Sequence, residues 1–286
     1  MDGSSAQYSL QEPLAQRVAR SFGALSPAQR MVADYLVGSG RSVVVESASA
    51  IAGELGLSDA TVVRTAQALG YSGLPELRRA LAGQIEDVTL AERLHHSLAG
   101  TEDDPVVTAA DSLMASLDAL VRQVSGSRFD HAIQILGRAE RLAWSGIGPS
   151  APLADYATVL ARRLGRPSTA LTRSGTAAAD DLLEVAPGTA VVVFSYGRLH
   201  RHVDALLHRS AELAVPVVLV TDVLEGELGD RVAETLVCWR GTPGLFTSHA
   251  PTMVLLEALL LGLARADPGR AESSLAQLDG LRPLTG

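Results

Sequence analysis

From about residue 126 onwards, the sequence alternates between short apolar runs and longer amphipathic segments. The amphipathic segments predict helices over 151–164, 177–185, 199–214 and 250–266. The apolar runs are the length of strands and read RLAWS, PSTALT, TAVVVFS, VPVVLVTD and ETLVCWR. Strands that alternate with helices indicate βαβ units, hence a parallel sheet with helices on both faces. We therefore predict a doubly wound parallel α/β domain in this part of the chain.

Residues 13–84 show a different pattern, which predicts a bundle of short helices. Ser26 and Pro27 suit a helix start, because a serine oxygen can accept an unpaired N–H and proline has none to leave unpaired. Gly38 and Gly40 are positioned to end that helix. Three further helices are indicated by the segments SASAIAGELG, SDATVVRTAQALG and YSGLPELRRALAGQI. The predicted fold class is thus an all-α domain followed by an α/β domain.

Between these parts lies a candidate connector. An acidic break, GTEDDP, precedes VVTAADSLMASLDALVRQV, which has the apolar spacing of an amphipathic helix. We expect a helical domain over 1–85, a helical connector over 86–125, and the α/β domain over 126–286.

The segment ASAIAGELGLSDATVVRTAQAL, residues 48–69, fits a helix-turn-helix. Ile51 and Leu55 can face the core, and Gly56 stands where the turn needs a positive φ. The second helix of such a unit enters the major groove of DNA and reads bases with its N-terminal residues. The candidate DNA-binding residues are Ser58, Asp59, Thr61, Arg64, Thr65 and Gln67. An ordinary helical hairpin with a glycine turn is the alternative.

The charge distribution favours DNA binding by the helical part alone. The whole chain has a formal net charge of −8, which argues against non-specific nucleic-acid coating or binding to an anionic membrane surface. Residues 14–84, however, contain seven arginines and five acidic residues. A small DNA-reading domain on an acidic body is consistent with both facts.

Two loops of the α/β part are candidate ligand sites. The first apolar run leads into Gly146, Gly148 and Ser150, and glycines there would let a ligand approach the backbone beside a helix N-terminus. The run TAVVVFS leads into a second loop, whose arginines and histidine could hold an anion. Both loops follow strands, and open α/β sheets bind ligands at the carboxyl ends of strands. The second-loop candidates are Ser195, Tyr196, Gly197, Arg198, His200 and Arg201.

Several functional classes are not favoured. The single cysteine, Cys238, cannot form an internal disulfide, which is typical of a reducing cytoplasm. The N-terminal residues lack the basic and apolar regions of a signal peptide, and no apolar stretch is long enough to span a membrane. We expect a cytoplasmic protein without a cofactor or a metal site.

The two parts, in this order, resemble the RpiR family of bacterial transcriptional regulators, which join a helix-turn-helix domain to a sugar isomerase (SIS) domain. The most specific stretch is LSDATVVRTAQALGYSGLPELRRAL. It is similar to the family pattern of Ser-x-Ala-Thr-Val-x-Arg, Leu-Gly-aromatic-x-Gly and Glu-Leu. The matching residues are Ser58, Ala60, Thr61, Val62, Arg64, Leu69, Gly70, Tyr71, Gly73, Glu76 and Leu77. The resemblance implies binding to an inverted-repeat operator in double-stranded DNA.

The SIS resemblance rests on Gly146, Gly148 and Ser150, on VVLVTD, and on GLFTSHAPTMVLLEALLLGLA. It implies a small-molecule effector, such as a sugar phosphate, and a homo-oligomer, either a dimer or a tetramer. The family's phosphate loop usually reads Ser-x-Ser-Gly-x-Thr. Here it reads Ser195-Tyr196-Gly197-Arg198-Leu199-His200, so two hydroxyl donors are missing.

Three functions remain open from the sequence. A regulator that senses a small, anionic, sugar-derived ligand is the reading we favour. A sugar phosphate isomerase would need a positioned acid and base, for which Glu257, His249 and His200 are candidates. In a third alternative the SIS domain serves only dimerisation, through the apolar helices around 112–121 and 253–263.

Overall fold

The computed structural model describes residues 14–38, 47–86, 91, 94, 104–124, 126–241 and 247–285. These residues divide into two compact units, one helical and one α/β. The boundaries proposed at residues 85 and 125 remain predictions. Within the described residues, no helix is both long and apolar enough to cross a membrane.

The described residues of the helical unit form five helices over continuous ranges. They are α1 (Leu14–Ser21), α2 (Pro27–Gly38), α3 (Ala48–Leu55), α4 (Asp59–Ala68) and α5 (Leu74–Glu86). Ser26 caps α2 as predicted: the amide of Gln29 donates to the Ser26 hydroxyl at 3.3 Å, and the Gln29 side chain accepts from the Ser26 amide at 3.0 Å. This reciprocal capping satisfies two donors that a helix N-terminus leaves unpaired. The predicted stop at Gly40 lies outside the described residues.

The turn between α3 and α4 has the geometry that the sequence predicts. Ser47 caps α3 through its hydroxyl, which accepts from the Ala50 amide at 3.0 Å. Gly56 ends the helix with φ +65°, a conformation that glycine adopts without steric cost. The Leu57 amide then donates to the Ala52 carbonyl at 2.8 Å. Such bonds satisfy carbonyls at a helix C-terminus and fix the exit of the chain towards α4.

Among the described residues, the core of the helical unit is apolar apart from Thr65 and one charged residue, Arg17, whose side chain is fully buried. Its guanidinium lies 4.4 Å from the ring centroid of Tyr71, and Nη1 donates to the Leu69 carbonyl at 3.3 Å. Arg17 was counted among the seven arginines that favour DNA binding. Because it is buried in the fold, it does not contribute to a DNA-facing surface.

The α/β unit begins with α6 (Pro105–Val124) and α7 (Ser127–Arg138). It then alternates strands and helices, and ends with two consecutive helices. The elements are β1 (Arg141–Ser145), α8 (Ala151–Arg163), β2 (Ser168–Leu171), α9 (Ala178–Leu183), β3 (Thr189–Phe194), α10 (Arg201–Glu212), β4 (Val217–Thr221), α11 (Glu225–Leu228), β5 (Glu234–Val237), α12 (Ala250–Ala266) and α13 (Pro268–Leu281). The five strands and the helices α6, α8, α9, α10 and α12 agree with the predicted elements to within a few residues at each end, whereas α7, α11 and α13 were not predicted.

The five strands form one parallel sheet in the order β2-β1-β3-β4-β5. Side chains alternate between its two faces, as strand geometry requires. Trp144 and Phe194 point to the face covered by α7, α8 and α12, where their rings stack at 6.4 Å. Ala143 and Val193 point to the opposite face, which α10 covers. The predicted doubly wound parallel fold is confirmed.

Candidate functional site

The strand order creates a crevice at the carboxyl edge of the sheet. β1 and β3 are neighbours, but the chain leaves β1 towards β2 and leaves β3 towards β4, on the other side. At such a switch point the two outgoing loops diverge, and open α/β sheets bind ligands between them. The loops here are Gly146–Ser150 and Ser195–His200, the two selected from the sequence. The structure thus brings both predicted loops to one edge of the sheet.

The first loop is held in a tight turn that depends on glycine. A Cβ atom at Gly146 would lie 2.5 Å from the backbone oxygen of Ser150, and Gly148 has φ +54°. The Ser150 amide donates to the Ile147 carbonyl at 3.1 Å, after which α8 begins. Gly146 therefore serves a close approach within the loop itself, and Ser150 is buried against it.

A pocket of about 470 Å³ opens beside β1, between α9 and α10. Its size is typical of sites for small molecules. Its polar lining residues are Ser145, Arg173, Thr176, Asp181, Arg201 and His202. Its apolar lining comes from Leu171, Ala178, Ala179, Leu182, Ala205 and Leu206. Of the nine predicted ligand residues, only Arg201 lines this pocket.

The two arginines of the pocket differ in their partners. Arg173 lies 3.4 Å from Asp181 and 3.7 Å from Asp180, and its backbone amide donates to Asp181 at 2.8 Å. Arg201 is exposed and forms no ion pair with any residue that the structure describes. The charge of Arg173 is therefore compensated by the protein, whereas that of Arg201 is available to a ligand.

His202, beside Arg201, contributes a neutral imidazole. Burial, followed by the nearby His200, lowers the pKa of His202 below its usual value. Its Nε2 atom is buried and has no hydrogen-bond partner among the described residues. The sequence analysis did not select this histidine. A polar atom that lacks a partner in a pocket wall marks a position where a ligand can donate or accept a hydrogen bond.

Ser195 is the residue of the second loop that matches the SIS pattern. It is 3% exposed, and its hydroxyl has no hydrogen-bond partner among the described residues. Strand alternation after β3 puts it on the same face of the sheet as Val193, and the same alternation in β1 puts Ser145 there too. Ser195 and Ser145 thus share the face on which the pocket opens.

Tyr196 was predicted to bind the ligand, and the structure contradicts this. Its side chain is buried, and its hydroxyl lies 2.6 Å from the Thr252 hydroxyl. The Arg240 guanidinium stacks 3.7 Å from the ring centroid, and His249 meets the ring edge-on at 5.6 Å. Burial raises the pKa of Tyr196 well above its ordinary value. Because the residue after Ser195 turns to the α12 face of the sheet, its aromatic ring becomes core.

The next residue, Gly197, is bound to the protein through its backbone. Its amide donates to Oδ1 of Asp222 at 2.9 Å, and Arg240 donates to Oδ2 of the same carboxylate at 3.2 Å. Gly197 has φ +70°, a left-handed conformation that glycine adopts without steric cost. Beyond it, Arg198 is exposed, and His200 stands at the N-cap of α10 with a partly exposed ring. The first half of the loop is therefore fixed and the second half faces solvent.

We call Asp222, Arg240, Tyr196, Thr252 and His249 the loop clamp. The sequence analysis did not assign Asp222, Arg240 or Thr252 a role, although Asp222 and Arg240 follow the ends of β4 and β5 at the same sheet edge. Burial, with a smaller contribution from Arg240, lowers the pKa of His249 to about 4.

Cys238 lies beside the clamp, and burial raises its pKa to about 12, which makes it a poor nucleophile.

Glu257, a candidate acid or base from the sequence, lies elsewhere. It accepts a hydrogen bond from the Tyr156 hydroxyl at 2.9 Å and lines a separate pocket of about 360 Å³ between α8 and α12.

The exposed surface of α4 carries most of the predicted DNA-binding residues. Ser58, Asp59, Arg64 and Gln67 are exposed, and Thr61 is partly exposed. Ser58 stands at the N-cap of α4, but its hydroxyl contacts the Thr61 hydroxyl at 2.9 Å and caps no backbone amide. The Asp59 carboxylate accepts a hydrogen bond from Ser49 on α3.

Thr65 is a correction to this set. It is fully buried, and its hydroxyl donates to the Thr61 carbonyl one turn earlier at 2.8 Å. Thr65 lies three residues after Val62, on the core side of α4, so its side chain cannot reach DNA. Arg64 projects to the opposite side, where its Nε donates to the Ala60 carbonyl at 3.1 Å.

Comparison with known proteins supports the resemblance stated above. Residues 12–87 match the helix-turn-helix domain of the rpiR family. An uncharacterised HTH-type transcriptional regulator, YfhH of Escherichia coli, is 25% identical over 228 residues, which cover 77% of this chain and 79% of that protein.

Two solved structures share the fold. The Vibrio vulnificus NanR protein, complexed with ManNAc-6P, superposes with a TM-score of 0.57 at 22% identity, over 96% of this chain and all of that one. The sugar isomerase domain of an RpiR transcription factor from Sphaerobacter thermophilus has a TM-score of 0.56 at 25% identity, over 62% of this chain and 98% of that one. The predicted resemblance to RpiR regulators, including the SIS fold, is confirmed.

Proposed function

We propose that this chain, whose N-terminal domain is a helix-turn-helix of the rpiR family, is a transcriptional regulator that senses a small anionic ligand. The observation that carries the proposal is the presence of two units in one chain. One presents an exposed recognition helix, and the other has a pocket with an available arginine at the switch point of an SIS-type sheet. A DNA-reading unit joined to a ligand pocket has the parts that ligand-controlled DNA binding needs.

In the DNA-bound state, α4 lies in the major groove. Thr61 and Arg64 reach base edges or phosphates, Ser58 and Asp59 lie near the helix N-terminus, and Gln67 is one turn further on. Two copies of the chain form a homodimer or a dimer of dimers, so that two α4 helices meet an inverted repeat. The protein acts in the cytoplasm.

In the α/β unit, Arg201, His202, Ser195 and the Gly146–Ser150 loop contact the effector. Gly148, Gly197, Arg198 and His200 form the rim of the crevice. Since NanR is complexed with a phosphorylated amino sugar, a sugar-derived anion is a reasonable first class of effector. Ligand binding alters operator affinity, and by linkage operator binding alters ligand affinity by the same factor.

We propose a sensor and not a turnover enzyme. Glu257 lines a different pocket from Arg201 and His202, and His249 is held behind Tyr196 in the loop clamp. The groups considered for isomerase chemistry therefore lack a common site.

The experiment that tests DNA binding is selection of duplex DNA from a randomised pool by the full-length protein, followed by measurement of Kd for the selected sequence. Arg64→Ala is expected to weaken binding by about 1–3 kcal/mol, if Arg64 makes a base contact or a charge-assisted contact. Arg30→Ala is the matched control, because it removes the same charge from α2. There the Arg30 guanidinium lies 5.2 Å from the ring centroid of Phe22. Failure to select any sequence would refute the proposed function, and equal effects of the two variants would refute the role of Arg64.

A further inference from the structure

Two donors of the second loop that could meet a phosphate are already engaged within the protein. The Gly197 amide donates to Asp222, and the Tyr196 hydroxyl contacts Thr252. A carboxylate of the protein thus takes a backbone N–H that would otherwise be available to an anionic ligand. Arg240 pairs with the same carboxylate and holds it in place. Among the side chains of this half of the loop, the Ser195 hydroxyl is the one without a partner in the described structure.

The charge available in the pocket is a single positive charge. Among the lining residues, Arg173 is paired with Asp181, and the pKa of His202 is lowered. Arg201 is the lining cation that has no ion pair among the described residues. A phosphate monoester carries about −1.5 to −2 charges at neutral pH, whereas a carboxylate carries one. The pocket therefore matches a monoanion in charge.

The walls of the pocket favour a ligand with an apolar body. Leu171, Leu182 and Leu206, together with three alanines, supply its apolar surface. Its neutral polar lining groups are the hydroxyls of Ser145 and Thr176 and the imidazole of His202. The Ser195 hydroxyl lies on the same face of the sheet but outside this lining. A free sugar, with a hydroxyl on nearly every carbon, would bury several of them against leucine and alanine without partners, which costs free energy. A compound with only one or two polar groups besides its charged group would avoid this cost, because few of its polar groups would be buried without partners.

We infer that the effector is a small carboxylic acid with an apolar body, whose carboxylate is held by Arg201 and whose remaining polar group meets the Ser145 and Ser195 hydroxyls. This inference rests on the proposed function, since it names the chemical class that the same pocket takes. The planar guanidinium of Arg201 suits a carboxylate, because its two parallel N–H groups match the two oxygens. The class differs from the phosphorylated amino sugar that NanR is complexed with.

The test compares matched pairs of probes by isothermal titration of the full-length protein. The first pair has an apolar body: 4-methyl-2-oxopentanoate and isopentyl phosphate. The second has a polar body: glucuronate and glucose 6-phosphate. We expect 4-methyl-2-oxopentanoate to bind at least tenfold more tightly than any of the other three.

Variants test the contact. Arg201→Ala should weaken binding of 4-methyl-2-oxopentanoate by tenfold or more. Arg201→Lys should bind this probe with an affinity between those of the alanine variant and the wild-type protein, because lysine keeps the charge but lacks the two parallel N–H groups. Arg209→Ala is the matched control: it lies on the same helix, pairs with Glu212 at 3.5 Å and does not line the pocket.

The outcomes separate this inference from the function on which it rests. If glucose 6-phosphate bound most tightly, and if Arg201→Ala weakened that binding, the inference about the carboxylic acid would be overturned. The proposed function as a ligand-sensing regulator would then still stand. No binding by any probe at 10 mM would also overturn it. Failure of the wild-type protein to select a DNA sequence, by contrast, would remove the proposed function and would not bear on the pocket measurements.

Discussion

Replacing Asp222 by alanine should destabilise the α/β unit far more than removal of a shorter, exposed ion pair. The Asp222 and Arg240 side chains are 16% and 14% exposed, and their closest atoms are 3.2 Å apart. Removal of one partner from a buried pair costs about 3–5 kcal/mol, because the other charge remains without compensation. The loss of an acceptor for the Gly197 amide adds about 1 kcal/mol.

Two features reduce this cost in Asp222→Ala. Arg240 keeps its contact with the face of Tyr196, and a cation–π contact of this kind contributes about 0.5–2 kcal/mol. The pair is also slightly exposed, so that water can reach part of the orphaned guanidinium. We expect a net loss of about 2–4 kcal/mol in the free energy of unfolding.

The matched control is Asp204→Ala. Asp204 and Arg231 approach more closely, at 2.8 Å, but their side chains are 57% and 39% exposed. Exposed pairs contribute about 0–1 kcal/mol, so this variant should lose about 1 kcal/mol or less. Distance alone would predict the reverse order of the two variants, which makes the comparison a test of burial.

Urea unfolding followed by tryptophan fluorescence is the appropriate assay. Both tryptophans of the chain, Trp144 and Trp239, lie in the α/β unit, so the signal reports on that unit and not on the helical one. A loss for Asp222→Ala no larger than that for Asp204→Ala would refute the argument that the clamp holds the loop through a buried ion pair.

Three further predictions follow from particular contacts. Gly146→Ala should destabilise the α/β unit by about 1–3 kcal/mol in the same assay, because the added Cβ would lie 2.5 Å from the backbone oxygen of Ser150. Gly137→Ala is the control: its added Cβ would meet nothing within 4 Å, so this variant should be neutral or stabilising. Thr65→Val should leave operator affinity unchanged in a DNA-binding titration, since its side chain is buried; a loss as large as that of Arg64→Ala would restore Thr65 to the DNA-contacting set. The pKa of His249 is about 4 in the folded chain and about 6.5 in the unfolded chain. As the pH falls from 6.5 to 4, the unfolded chain therefore binds a proton at this histidine that the native state does not, which favours unfolding. Stability should thus be complete above pH 6.5 and fall as the pH drops towards 4, and His249→Leu should flatten this slope in urea titrations across that range.

The fold could be predicted from the sequence because its signals are local and repeated. The five apolar runs each became a strand, and the helix starts at Ser26 and Ser47 depend on side chains within three residues of the start. The strand order was not predicted, and the periodicity did not reveal α7, α11 and α13.

The site was predictable only to the level of the loops. Gly146 and Gly197 marked the correct turns, since backbone conformation is encoded locally. Which side chains face a ligand depends on residues far away in the sequence: Tyr196 is drawn inward by Thr252, which is 56 residues away. No pattern around Tyr196 contains that information, and a residue in a polar loop is usually exposed.

The clamp accounts for one departure from the SIS loop pattern, the glycine at position 197. A glycine at 197 puts its amide on Asp222, and an aromatic ring at 196 gives Arg240 a surface on which to stack. With these contacts made, hydroxyls at positions 197 and 200 would have no phosphate to bind. In the site that we propose, ligand recognition falls to the next turn of chain, where Arg201 and His202 begin α10. Ligand affinity should accordingly depend on residues that follow this loop motif more than on the motif itself.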